Sequence, residues 1–471
     1  MAQEQCNIRK KSKQYRRRHG RRMPRNLEVV NPDAAGIDLG SAIHYVSVPD
    51  DRCEEPIRHF GCYTPDLQAM AKWLLECGVT TVVMESTGVY WTPVFRVLEQ
   101  QGLEVLLVNP KHVKYVPGRK TDVADCQWLR QLHTFGLLKG AFVPPNEVAE
   151  MRALWRHRKN LIEHKSKTIL QVQKVFTQMN IQLHVVLSDI SGVSGMKIIR
   201  AILRGERDPN VLVRLVNKQV KATHEEFVAA LSGHYSDSQL FILGQLMAQY
   251  DSLQQQIQEC DAQTEAYLSQ FESKADVKSL GLHPKKSKRC KSRKNEPHFD
   301  LRMELFRITG VDFSRIDGVD CLTAFSVLSE IGFNVDAFRT EDHFVSWLGL
   351  CPNNQITGGK VKRRSTRKVV NRAATALRVA AQSLCRSKSY LGALYRRFAA
   401  RLGPSKAITA CAHRLARIIY RCIKYGYEYV DKGQQHLEQQ HLERSLKSLK
   451  KLANKHGFIL VNAETGECVC A

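Results

Sequence analysis

Thr80-Thr-Val-Val-Met-Glu85-Ser-Thr-Gly-Val-Tyr90 is the stretch whose reading decides the fold. Thr80–Met84 is short, apolar and β-branched, without polar alternation, so it predicts a strand buried on both faces. An acid, Glu85, follows directly, and the C-terminal end of a central strand is where α/β sheets build ligand sites. Working outward, Ala35–Leu39 and Tyr45–Val48 read as strands joined by a tight Gly40-Ser41 turn, and Ile57–Gly61 as a third. Pro65–Cys77 reads as a helix with Leu67, Met70, Leu74 and Leu75 on one face. Pro93–Gln101 reads as a helix, Glu104–Val108 as a strand, and Asp122–Phe135 as a helix with Trp128, Leu129 and Leu132 apolar. The alternation predicts an α/β domain over 34–145.

Four carboxylates recur at the ends of these elements. Asp38 ends the first strand in Gly36-Ile-Asp-Leu-Gly40, where it either holds a cation beside a close phosphate or serves as a strand-end cap. Glu85 is either a site acid or a cap for the following helix. Asp122 and Asp125 stand three apart and share a helix face. As first-turn acids after Thr121 they also suit the helix dipole without any other role. Taken together, acids from strand, strand and helix at one sheet edge repel one another unless cations bind. The expectation is a two-metal site of Mg²⁺, with Mn²⁺ as the alternative, acting on a phosphodiester. Lys111, Lys114, Arg119 and Lys120 would grip the phosphate.

Charge narrows the partners. The 471 residues carry a net charge of +25. Met1–Arg25 holds ten basic residues against one acid, Lys285–Lys294 seven against none, and Lys360–Arg378 eight against none, which leaves the rest nearly neutral. Such concentration suits nucleic acid, against the alternative of solvated tails. No apolar run reaches transmembrane length and no secretory signal pattern opens the chain, so no membrane partner is expected. The 14 cysteines lack CxxC pairs, which fits a reducing, cytoplasmic setting.

The middle, 146–275, reads as helical. Met151–Met179 is amphipathic, and Leu243, Leu246, Tyr250, Leu253, Ile257, Cys260, Thr264, Tyr267 and Phe271 form a heptad-like seam. That seam either oligomerises the protein as a coiled coil or packs the two helices on each other within one chain. A basic loop, 276–300, leads to a mainly helical segment, 301–432. It has Gly turns at 310 and 318, a helix at 337–350, a turn-rich stretch at 351–362, and helices at 369–387 and 408–424. The Gly turns either present backbone N–H groups to a phosphate or simply connect helices. A Gln/Leu/Lys-rich helix follows in 433–471. The basic run Lys360, Lys362, Arg363, Arg364, Arg367, Lys368 and Arg372 reads as a nucleic-acid contact, with a solvated basic face as the alternative.

Gly36–Ser41, Met84–Tyr90, Val108-Asn-Pro110 and Lys120–Asp125 together resemble the RuvC-like, RNase H-like domain of the DEDD-type insertion-sequence transposases, the bridge-RNA-guided serine recombinases of bacterial mobile elements. Gly-Ile-Asp-Leu-Gly also opens actin-like ATPases, a reading that the other motifs disfavour. The resemblance continues over Phe306–Asp431, through Ile316-Asp-Gly-Val-Asp320 and Leu328-Ser-Glu-Ile-Gly332. It implies that Asp38, Glu85, Asp122 and Asp125 are the four acids. In Trp347–Lys360 it implies a nucleophilic serine before a glycine, but this chain has Thr357 before Gly358. Either Thr357 is the nucleophile, or Ser365 replaces it, or strand transfer is impaired. The threonine methyl crowds in-line attack.

The resemblance implies a transposase or site-specific recombinase that pairs donor and target DNA with a structured non-coding RNA. It implies acids and nucleophile from different subunits, hence a dimer or tetramer, in a bacterial cytoplasm at the nucleoid. Two other readings stay open. One is a structure-selective junction nuclease using water. The other is a non-catalytic nucleic-acid-binding protein derived from a transposase.

Overall fold

The computed structural model describes residues 27–110, 122–217, 219–279, 295–363, 365–367, 369–426, 433–459 and 461. The chain forms two compact units, one ending at Val143 and the other beginning at Pro144.

The first unit is built on five strands, β1 (Ala34–Leu39), β2 (Ile43–Ser47), β3 (Ile57–Gly61), β4 (Thr81–Glu85) and β5 (Glu104–Val108), in the order β3-β2-β1-β4-β5. β1, β2 and β3 run antiparallel as a meander, whereas β4 pairs parallel to β1 and β5 parallel to β4. The parallel connections pass through helices α1 (Thr64–Glu76) and α2 (Trp91–Gln100); α3 (Asp122–Thr134) follows β5. This mixed order is the RNase H-like arrangement.

Side-chain alternation assigns the two faces. Ala35, Ile37 and Leu39 of β1, with Val82 and Met84 of β4, pack against Leu67, Met70 and Leu74 of α1 and Val94 and Leu98 of α2. Leu75, expected on that face of α1, is 43% exposed and points away. The opposite face carries Gly36, Val83 and Val108, and Val83 and Val108 pack against Leu129 of α3. Gly36 is what lets α3 come this close. A Cβ there would lie 2.4 Å from both the Cys126 carbonyl oxygen and the Arg130 amide nitrogen. A buried hydrogen bond of 2.9 Å between Thr81 Oγ1 and His133 Nε2 fixes the far end of α3 to β4.

The second unit is helical. It opens with α4 (Asn146–Gln178), followed by α5 (Leu183–Val186), α6 (Val193–Leu203), α7 (Pro209–Val213), α8 (His224–Leu231) and α9 (Asp237–Leu268). Pairings of residue 147 with 267, 158 with 261 and 165 with 254 show that α4 and α9 run antiparallel along each other. The heptad-like seam is therefore filled from within the chain. Leu253, Ile257 and Cys260 pack against Leu161. Arg158 and Asp261 form a fully buried ion pair at the centre of this contact, with a second Arg158 bond of 3.1 Å to the Asn295 carbonyl. The short helices α5 to α8 wrap the far ends around Phe176, Ile198, Ile199 and Phe227.

After the basic loop come α10 (Leu301–Thr309), α11 (Cys321–Ile331) and α12 (Glu341–Trp347), then strands β6 (Gln355–Thr357) and β7 (Lys360–Arg363). Next are α13 (Arg372–Ser383), α14 (Tyr390–Leu402), α15 (Pro404–Tyr425) and α16 (Gly433–Lys455). Two differences from expectation stand out. Residues 355–363 form a β-hairpin rather than irregular turns. A helix, α14, occupies a stretch whose periodicity Gly392 interrupts; that glycine admits the Ser387 carbonyl, which a Cβ would meet at 2.1 Å. No helix among the described residues is long and apolar enough to cross a membrane.

Candidate functional site

Asp38 and Glu85 reach one level of the sheet by register. Ile37 pairs with Met84 on adjacent parallel strands, so the next residue of each, Asp38 and Glu85, stands side by side at the C-terminal end of the pair. Their parity matches Gly36 and Val83, which turns both toward the face covered by α3. Asp122 and Asp125 occupy the first turn of α3. Asp38 is half-buried, and burial together with repulsion from Asp125, Asp122 and Glu85 pushes its carboxyl up to about 6. All four acids therefore share one field. Glu85 has no capping task on the next helix, because α2 begins only at Trp91.

The donor set fits a hard divalent cation: carboxylates only, with excess negative charge on a partly desolvated edge. Among the described residues, no three His, Cys, Asp or Glu side chains converge closely enough to hold an ion as they stand.

Beneath the acids lie residues that sequence reasoning missed. The Cys126 thiol is buried; desolvation, with Asp38 adding to it, pushes it up to about 12. Arg130, one turn further along α3, reaches Asp50 at 3.4 Å, and burial lowers its pKa. The only signal for either was the i, i+4 spacing behind Asp122, which reads equally well as ordinary helix packing. Lys111, Lys114, Arg119 and Lys120 lie outside the described residues, as does Thr121.

Thr357 stands in the second unit, exposed, at the tip of the β6–β7 hairpin. It pairs with Lys360 across Gly358 and Gly359, which have φ of 56° and 73°. Two consecutive positive φ angles make the tight two-residue turn that matches strand twist, and they select glycine at both places. Ser365 is partly buried, and its carbonyl accepts from the Asn353 amide at 2.6 Å. Lys360, Lys362 and Arg372 are exposed. Arg363 lies on β7. Arg367 is exposed, and one terminal nitrogen of its guanidinium donates to Ser346 Oγ at 2.8 Å. Arg364 and Lys368 lie outside the described residues.

Comparison with known families gives two matches. Residues 35–181 match the DEDD-type transposase model of the IS110 kind, described as Transposase. Residues 312–396 match the Transposase IS116/IS110/IS902 family. No curated protein matches the chain. The first match runs past the sheet to the end of α4, further than the resemblance carried by the motifs alone. The second stops within α14, short of residue 431. Such matches imply a mobile-element transposase that acts on DNA and uses divalent metal. With both segments present in this order, the chain is identified as a DEDD-type insertion-sequence transposase.

Proposed function

We propose that this transposase cuts and rejoins DNA with Asp38, Glu85, Asp122 and Asp125 as its metal-holding acids and the Thr357 hydroxyl as its nucleophile. The observation that carries the reading is the level placement of Asp38 and Glu85 on adjacent strands, on the face covered by the helix that starts with Asp122 and Asp125. Two Mg²⁺ ions, or Mn²⁺ in their place, would stabilise the attacking and leaving oxygens of the phosphodiester. The Thr357 oxygen bonds to phosphorus and a deoxyribose oxygen leaves, so the phosphodiester energy is kept in a phosphothreonine link until the strand is rejoined. The exposed Gly-Gly turn supports this role, since it offers the hydroxyl at a projecting tip.

The guiding RNA and the assembly of two or four chains follow from the family resemblance, and the concentrated basic segments support a polyanionic partner. The α4–α9 seam is used within the chain, so assembly would rely on other surfaces.

The test is plasmid recombination combined with a denaturing gel of protein and labelled DNA. Wild type is expected to recombine and to leave a protein–DNA adduct; Thr357→Ala should lose both, and Glu85→Ala should lose all cleavage. Full activity in Glu85→Ala would overturn the metal assignment. Cleavage without adduct in both wild type and Thr357→Ala would favour the water-using nuclease.

A further inference from the structure

The long helix α4 carries two adjacent stripes. Met151, Trp155 and Arg158 face the core. The Trp155 ring stands 4.5 Å from Phe325 of α11, and its N–H donates to Ser326 Oγ at 3.3 Å. The neighbouring stripe is Arg152, Arg156 and Lys159, spaced i, i+4 and i+7 and therefore on one face. It lies half-buried beside α11, and its field extends to Arg372, the first residue of α13.

The charges of this stripe do not balance. Glu330 of α11, only 7% exposed, is the acid set into it. Both its oxygens are taken by Arg156, at 2.9 Å from Nε and 2.5 Å from the terminal nitrogen. The forked pair holds Glu330 on Arg156, and neither Arg152 nor Lys159 forms an ion pair with it. Glu163, one turn further along α4, is exposed and adds a weaker pull on Lys159. Arg152 and Lys159 form no hydrogen bond or ion pair among the described residues. Burial lowers the pKa of both and outweighs the pull of Glu330 on each; Arg156, with Arg372 in the case of Lys159, pushes the same way as burial. Half-buried cations without acceptors are costly and call for an external anion.

We propose that Arg152, Lys159 and Arg372 form a phosphate-binding site for a nucleic-acid strand, with the Arg156–Glu330 pair as its rigid floor. The ligand is a polyanion rather than a single small ion. Positions 152 and 159 lie about 10 Å apart along the helix axis, a length over which one strand of a duplex presents about three phosphates. Arg372 belongs to the same basic run of sequence as Lys360 and Lys362, which are also exposed. DNA and RNA share this backbone chemistry. The site concerns binding alone and does not depend on the four acids or on Thr357.

The experiment uses the full chain in EDTA, which keeps it separate from the metal-site reading. Fluorescence anisotropy is measured with a labelled random-sequence DNA duplex and with an RNA hairpin of equal length, across a salt series. Arg152→Gln/Lys159→Gln is expected to weaken binding. It should also flatten the slope of log K against log salt by about 1.8, at roughly 0.9 per lost phosphate contact. Its melting temperature should hold or rise, because two desolvated charges are removed. Glu330→Gln, which releases Arg156, should tighten binding several-fold. Flattening with DNA alone assigns the site to DNA, and with RNA alone to RNA. An unchanged slope with both ligands overturns the proposal. If the double variant folds poorly, Lys159→Gln alone decides, with an expected slope loss of about 0.9.

Discussion

Asp38 is held in the fold at a cost in stability, a cost that the proposed metal role would explain. Its carboxyl titrates at about 6 against an ordinary 3.8. The folded protein thus holds this proton more tightly than the unfolded chain, and the metal-free fold loses stability as pH rises from about 4 to 6. Asp38→Asn should therefore raise the melting temperature at pH 7 in EDTA, by scanning calorimetry, while abolishing recombination. A metal must displace the same proton. Mn²⁺ affinity measured by calorimetry should fall about tenfold per pH unit below 6. Gly36 works through packing instead. Gly36→Ala should destabilise the first unit by about 1–3 kcal/mol, as overpacking does, and weaken Mn²⁺ binding by lifting α3. Asp38 and Glu85 were legible as candidates because they interrupt apolar strands, and Asp122 and Asp125 because they share a helix face. Gly36, Cys126 and Arg130 were not, because what matters about them is the closeness of a helix backbone that no local pattern encodes.

At the scale of elements, two acid–base clamps hold the second unit. The Arg158–Asp261 pair is buried between α4 and α9, so removing one partner strands a charge. Asp261→Ala should cost about 3–5 kcal/mol in urea unfolding. Glu341 of α12 accepts two bonds from Arg421 of α15, at 2.7 and 2.8 Å, and a further one from Arg417. These arginines hold its carboxyl down at about 2. The clamp is complete above the ordinary carboxylate pKa near 4.5, and its contribution is lost as pH falls from there toward 2. Glu341→Gln should cost about 2 kcal/mol near neutral pH and flatten this acid limb. The strands of the first unit were readable because β-branched runs are local signals. The hairpin 355–363 was not: Gln355-Ile-Thr357 is exposed, only three residues long, and has no apolar face to mark its period. The heptad spacing of α9 was readable, but its partner was not, since an intrachain helix and a second copy present the same stripe.

At the scale of the whole molecule, the helical middle carries its own core around Phe176 and Phe227, and the first family segment reaches into it as far as residue 181. The net charge of +25 lies almost wholly in three segments, so nucleic-acid affinity should fall steeply with salt while either unit's stability barely responds. Thr357→Ser offers the complementary test. It removes the methyl that crowds attack, and adduct formation should be at least as fast as in wild type. A slower variant would argue against a hydroxyl nucleophile at this turn.

The burial of Cys126 beneath Asp38 gives the proposed metal edge a built-in clock. The sulfur has no solvent exposure and its proton is held up to about 12, so it can be alkylated only during excursions in which α3 swings off β1. In a protein stripped of its other thiols, the labelling rate of Cys126 would count those openings directly. Slower labelling with added Mn²⁺ would then report how often the edge stands open between encounters with DNA.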